Sequence, residues 1–304
     1  MISTEMERQA DNMKISVITP VYHGNRYLDG YMKMMSKAAW EFVEADRDNS
    51  VEVILVNDSP EIPIEFNKSL AGGFTIRILE NDMNRGIHYS RVNGLNECSG
   101  DYVVFLDHDD SISKHCFTSH RNSIGDSDVS VGNGVFEING QRVPIFANKY
   151  SQDYAVREES YIWLRDFIVS PGQCLIKKNS IPEYWKENII KHNGTDDYLL
   201  WLLMLQTGCS MCCNYKAIYL HRDTGANVSS DDDKMFESTE EMLGILEKNE
   251  AYPKDKLELI RRRIYYKHFD RSDRLGFMKE TLKNMDIFAA NVKYRALWRG
   301  CITK

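Results

Sequence analysis

Asp101-Tyr102-Val103-Val104-Phe105-Leu106-Asp107-His108-Asp109-Asp110 is the stretch from which the fold is read. The run from Asp101 to Leu106 predicts a short strand, and its unbroken apolar centre predicts that both faces of that strand are covered. Three carboxylates within the next four residues repel one another strongly unless positive charge lies among them. In an open α/β sheet ligands gather beyond the carboxyl ends of the strands, which makes this acidic end the place to look for chemistry.

Working outward, Lys14–Thr19, Val51–Val56 and Phe74–Leu79 have the same character. Helix-like stretches, Arg26–Ala45 and Ile87–Cys98, lie between these strands. Strand–helix–strand repetition at this spacing predicts a mostly parallel sheet with helices on both faces. Further on, Val129–Ile138 and Phe167–Lys177 are expected as strands of a less regular half. Asp196–Gln206 is expected as a buried helix stopped by Gly208. From Asp231 the pattern turns helical and charged, over Met235–Asn249, Lys254–Phe269 and Arg274–Ala290. The expected organisation is a polar tail over 1–13, one α/β domain over 14–230 and a basic helical region over 231–304.

The 304 residues carry a formal charge of −7, a poor balance for a general nucleic-acid binder. That average hides an asymmetry, because residues 254–304 hold fourteen Lys/Arg against six Asp/Glu. The first thirteen residues have no apolar core, so no signal peptide is expected. Seven scattered cysteines fit reduced thiols in a cytoplasmic protein better than a disulfide framework. Cys209, Cys212 and Cys213 lack the second pair that a structural zinc site uses, and are expected to be small buried hydrophobes.

The strand ends carry the chemistry. Thr19-Pro20-Val21-Tyr22-His23-Gly24 follows the first strand and Asn57-Asp58-Ser59-Pro60 the second. Neither is a glycine-rich phosphate loop, which argues against a dinucleotide-binding or P-loop domain. The acidic end at Asp107–Asp110 suits a hard divalent ion, Mn2+ or Mg2+, with room left for phosphate oxygens. Its structural alternative is an acidic turn at a helix N-terminus. Asp58 is either a turn residue or an acceptor for a base or ribose. Asp196 and Asp197 open an apolar helix behind Thr195, a candidate cap. One of these acids satisfies the helix dipole, and the other is a candidate general base if burial raises its pKa. His221 is either a structural imidazole or a metal ligand. The cluster Arg261-Arg262-Arg263, Lys267, Arg271 and Arg274 is interleaved with Ile260, Ile264, Tyr265, Tyr266 and Phe269. It forms either a basic surface that meets anionic inner-leaflet lipid, or a helical subdomain that packs its apolar residues inward.

Taken in order, these motifs resemble the inverting glycosyltransferases of family 2, which have the GT-A fold. The resemblance runs through Ile18-Thr19-Pro20-Val21-Tyr22, Val56-Asn57-Asp58-Ser59, and Asn84-Arg85-Gly86 with Ser90-Arg91-Val92-Asn93-Gly94-Leu95. It continues through Gly100–Asp110 and Asp196-Asp197-Tyr198, and covers roughly residues 14–225. It implies a nucleotide site formed by Thr19, Pro20, Tyr22, Asp58, Arg91, Asp107 and His108, with Asp58 toward uracil. It also implies Asp107, Asp109 and His221 around the metal, Asp197 as base, and Asp196 and Gln173 toward the acceptor. The implied reaction moves a hexose or N-acetylhexosamine from a UDP-sugar to a saccharide hydroxyl, with Mn2+ or Mg2+ as cofactor. The implied setting is assembly of a bacterial O-antigen or capsule on a lipid-linked acceptor, in the cytoplasm or at the inner face of the membrane. The alternatives are a sugar-phosphate nucleotidyltransferase, whose Gly-rich basic loop after the first strand is missing here, and an inactive sugar-nucleotide-binding module. Three departures stand out: Val92 replaces the family's Asn, Asp196 replaces the Glu of an E-D pair, and Leu203 replaces a frequent Arg.

Overall fold

The computed structural model describes residues 12–138, 140–222, 231–269 and 271–302. Much of the expected N-terminal tail, and the residues just before the expected boundary at 230, lie outside these. The strands are β1 (Lys14–Val21), β2 (Ser50–Asn57), β3 (Thr75–Glu80), β4 (Tyr102–Phe105), β5 (Ser111–Ile112), β6 (Val129–Ile138), β7 (Gln141–Pro144), β8 (Cys174–Lys177) and β9 (Met211–Arg222). They form one sheet in the order β3-β2-β1-β4-β8-β6-β9-β5, with β7 added on β6. The β3-β2-β1-β4 half is parallel, as its helical crossovers require. Beyond β4 the pairing alternates, with β8 antiparallel to both neighbours and β9 parallel to β6.

Helices α1 (Asn25–Ala45), α2 (Ile87–Glu97) and α3 (Cys116–Ile124) flank the sheet, followed by the short α4 (Lys149–Gln152), α5 (Glu158–Trp163) and α6 (Glu183–Glu187). Alternation along β1 and β2 explains their continuous hydrophobicity. Ile15, Val17, Val53 and Leu55 enter one core with α1 and α3, whereas Ile18, Ile54 and Val56 enter the other with α2. That second core also holds α7 (Asp196–Gln206), whose Leu199 to Leu203 are all buried. Each such side chain contributes roughly 1.5–3 kcal/mol by leaving water.

The C-terminal helices are α8 (Asp232–Lys248), α9 (Lys254–His268), α10 (Arg274–Lys283) and α11 (Met285–Ile302). Met242, Leu243 and Leu246 of α8, with Leu257, Ile260 and Ile264 of α9, join the same core as α7. The basic cluster therefore does not act as one face. Arg263 is buried, Arg261 pairs with Glu247 and Glu258, and Arg262 pairs with Asp286.

Two local expectations are corrected. The strand expected over Phe167–Lys177 is extended only at β8, because Pro171–Gln173 forms a 3-10 turn whose capping box joins Ser170 to Gln173. Thr195 does not cap α7 with its side chain, since its hydroxyl donates to the Ser238 carbonyl on α8. The three clustered thiols turn to different carbonyls, those of Ser180, Ser123 and Gln152, and so do not converge on a metal.

Candidate active site

Asp107, His108 and Asp109, just past β4, line a cleft of about 520 Å³. It also takes in Pro20 near the end of β1 and Tyr22 just after it, Asp58 after β2, Arg91 of α2, Asp196 and Asp197 of α7, and His221 of β9. Residues spread over two hundred positions of sequence thus meet beyond the strand ends. Two of the expected site residues do not line it. Thr19 is fully buried because strand alternation turns it toward α1, where its hydroxyl lies 2.6 Å from that of Tyr31. Gln173 is also fully buried; its Oε1 accepts from the Val169 amide at 2.8 Å and its Nε2 donates to the Gly132 carbonyl at 3.1 Å. It ties the loop before β8 to β6 and is not presented to an acceptor.

Helix α2 places Arg91. It starts at Gly86, whose φ of 86° suits glycine. At Gly94 it lies so close to the sheet that a Cβ would stand 2.4 Å from Ile18 Cγ2. Arg91 is thereby driven inward, where Nη1 donates to Asp196 Oδ2 at 2.6 Å and Nη2 to Asp107 Oδ1 at 2.9 Å. Burial opposes its charge, but Asp196, Asp107 and Asp197 outweigh that and hold the guanidinium protonated. The residue expected simply beside the nucleotide is the bridge between the β4 end and the start of α7.

Asp197 is a partly buried carboxyl at the cleft. Desolvation, then the negative charges of Asp166 and Asp196, push it well above the usual carboxylate range, against the pull of Arg91 and the Tyr198 amide. Asp196 takes the direct Arg91 contact. The two adjacent acids are thereby differentiated, one paired with Arg91 and the other raised above the ordinary carboxylate range, the direction of tuning that makes a carboxylate a stronger base. Asp166 escaped the sequence analysis. Its own carboxyl is pushed up to about 7, by burial first, despite hydrogen bonds from Ile168 and Phe167 and the nearby Arg165 and Arg263. No local spacing marks it, because only the fold carries it toward α7.

Asp58 is engaged by the segment between β3 and α2. Oδ1 accepts from Asn81 Nδ2 and the Arg85 amide, each at 2.7 Å, and Oδ2 from the Gly86 amide at 2.9 Å. A carboxylate has about four acceptor positions, so one remains for a ligand. Asn93 donates to Asn81 Oδ1 at 2.8 Å and supports this network, while Val92 points into the core. Asn81 is a second residue that the sequence analysis missed.

Asp110 faces inward from the same acidic turn. It receives the Tyr219 hydroxyl, lies 3.1 Å from His221 Nδ1, and accepts from the Arg222 amide at 3.3 Å. Burial disfavours the His221 imidazolium, yet the Asp110 hydrogen bond and the charges of Asp110, Asp107 and Asp109 raise its pKa.

With this geometry in view, the family model described as glycosyl transferase family 2 matches residues 16–185, more than half of the chain. The chain belongs to that family. A curated relative, Glycosyltransferase GlyA of Streptococcus pneumoniae serotype 4, is 32% identical over 127 residues. That match covers 40% of this chain and 16% of GlyA, so the chain corresponds to a small part of that protein. Among solved structures, residues 1–349 of S. aureus TarS superpose with a TM-score of 0.55 at 18% identity, over 89% of this chain and 72% of that one. The same TarS fragment in complex with UDP-GlcNAc gives 0.53 at 17% identity, over 89% and 73%. The mannosyltransferase PcManGT from Pyrobaculum calidifontis, in complex with GDP-Man and Mn2+, gives 0.56 at 12% identity, over 97% and 84%. At these identities the superpositions establish the fold, which is GT-A.

A GT-A fold implies a divalent ion, and the donor set fits one. Asp107 and Asp109 are both raised in pKa, by burial first and then by neighbouring carboxylates, with Arg91 opposing the rise at Asp107. Asp109 makes no ion pair among the described residues. Asp110 lies on the Nδ1 side of the His221 ring. Among the described residues no three acidic, His or Cys side chains converge as they stand.

Proposed function

We propose that this family 2 domain is an inverting glycosyltransferase. In this reading it moves a hexose or N-acetylhexosamine from a UDP-sugar to a hydroxyl of a saccharide acceptor carried on lipid, in the assembly of a bacterial surface polysaccharide. The carrying observation is Arg91, whose two donors hold the β4 acid Asp107 and the α7 acid Asp196 in one unit. In this reading donor binding and proton removal lie on the two sides of the cleft that Arg91 spans. The complexes of TarS with UDP-GlcNAc and of PcManGT with GDP-Man support a nucleotide-sugar donor.

Pro20, Tyr22, His108 and the free acceptor position on Asp58 surround the nucleoside. Asp107, Asp109 and His221 would hold a divalent ion, which would stabilise the charge developing on the leaving diphosphate. Asp197 removes the proton from the acceptor hydroxyl, whose oxygen attacks the anomeric carbon opposite the leaving group. An α-linked donor then yields a β-linked product. Base assistance of this kind contributes about 10²–10⁴ in rate, and positioning of the two sugars adds more. Asp196, already paired, orients α7 at the mouth of the site.

The test is a screen of UDP-sugars with and without Mn2+, by thermal shift and by product analysis. Metal-dependent stabilisation by one donor, with a β-linked product, is expected. A retained anomeric configuration, or nucleotidyl transfer from UTP to a sugar phosphate, would overturn the reading.

A further inference from the structure

Helices α10 and α11 are separated only by Asn284, whose amide donates to the Glu280 and Thr281 carbonyls while its own carbonyl receives Phe288 N–H. Two sets of backbone bonds thus bridge the break. One side of this pair is anchored to the body. Phe277 stacks on Tyr266 with ring centroids 5.8 Å apart, Ile287 is buried, and Tyr294 meets Tyr154 and Phe167 at 4.9 and 5.4 Å.

The other side is apolar and uncovered. Leu275, Met278, Leu282, Met285, Phe288 and Val292 follow one another at intervals of three or four, and each is between 42% and 69% exposed. A helix with this spacing normally buries such a row. Its flanks are cationic, with seven Lys/Arg against three Asp/Glu over residues 271–302. The three acids are already engaged: Asp273 caps Gly276, Glu280 pairs with Lys283, and Asp286 pairs with Arg262. Arg274, Lys279, Lys293 and Arg295 make no ion pair among the described residues.

We propose that the outer face of α10 and α11 docks on an anionic lipid surface. The Leu275–Val292 row enters the boundary between headgroups and acyl chains, and the flanking cations meet the lipid phosphates. Charge selects this occupant. A two-fold contact between copies would set the same cationic rim against itself, whereas an anionic leaflet neutralises it. The lipid-facing role offered by the sequence at Arg261–Arg274 thus moves to the next two helices, because Ile260 and Ile264 are spent on the core. Among the described residues no helix is long and apolar enough to cross a membrane, so contact here is lateral.

Flotation of the full chain with vesicles of phosphatidylcholine, with or without phosphatidylglycerol, tests the surface without donor or acceptor. It therefore succeeds or fails independently of glycosyl transfer. Binding is expected only to vesicles containing phosphatidylglycerol, and is expected to weaken as salt screens the cations. The double variant Leu275→Glu/Leu282→Glu should lower the bound fraction about tenfold, with unchanged far-UV circular dichroism and thermal midpoint because both residues are exposed. Absence of binding at low salt, or binding that survives the double variant, would overturn the proposal. So would a dimer in sedimentation that the double variant dissociates, which would assign the face to a second copy.

Discussion

Arg91 Nη1 lies 2.6 Å from Asp196 Oδ2 across 105 residues of sequence, and both side chains are almost wholly buried. Removing one member of such a pair leaves an uncompensated interior charge. Arg91→Met is therefore expected to cost about 3–5 kcal/mol in urea unfolding, well beyond an exposed Arg→Met change. Arg91→Lys keeps the charge but cannot fork between Asp196 and Asp107, and should lie in between.

Asp197→Asn should abolish transfer while UDP binding, read by calorimetry, persists. The carboxyl is raised by burial, Asp166 and Asp196, so it must lose its proton at a higher pH than an ordinary aspartate. The acid limb of kcat/KM should accordingly lie above the usual carboxylate range. Asp166→Asn removes one of the charges holding it up and should move that limb to lower pH. An unmoved limb would separate Asp166 from the base.

Asp166 also predicts a stability slope. Its folded-state pKa of about 7 exceeds that of an unfolded aspartate, so folding favours its protonated form. This contribution is complete below the unfolded value, near about 4, and is lost as pH rises through about 7. Asp166→Asn should flatten the fall in thermal midpoint across that window.

Asp58→Ala removes the acceptor for the Asn81 side chain and for the Arg85 and Gly86 amides. The variant should lose about 1–3 kcal/mol of stability from unsatisfied donors, and its KM for the donor should rise more than kcat falls.

The parallel half of the sheet was legible because each of its strands is a short apolar run with a polar or turn-forming end. The acidic turn was legible because three carboxylates in sequence require a local explanation. The inward turn of Thr19 was less so, since both faces of β1 are buried and hydrophobicity alone does not say which side is the cleft. The role of Gln173 was hidden by the 3-10 turn that shortens β8. Arg91, Asp166 and Asn81 act through partners far away in sequence, and no spacing rule reports such contacts. In the C-terminal region composition showed the cations, but only packing shows that Arg263 is interior and that Leu275 and Leu282 are not.

The start of α7 is gripped from both sides by the last quarter of the chain. The Ser238 carbonyl accepts from Thr195, immediately before Asp196, and Arg263 donates to the hydroxyl of Tyr198, immediately after Asp197. The C-terminal helices are thus built into the frame of the acid pair. Shortening the protein to the sheet and its flanking helices would cut the brace on either side of Asp196 and Asp197.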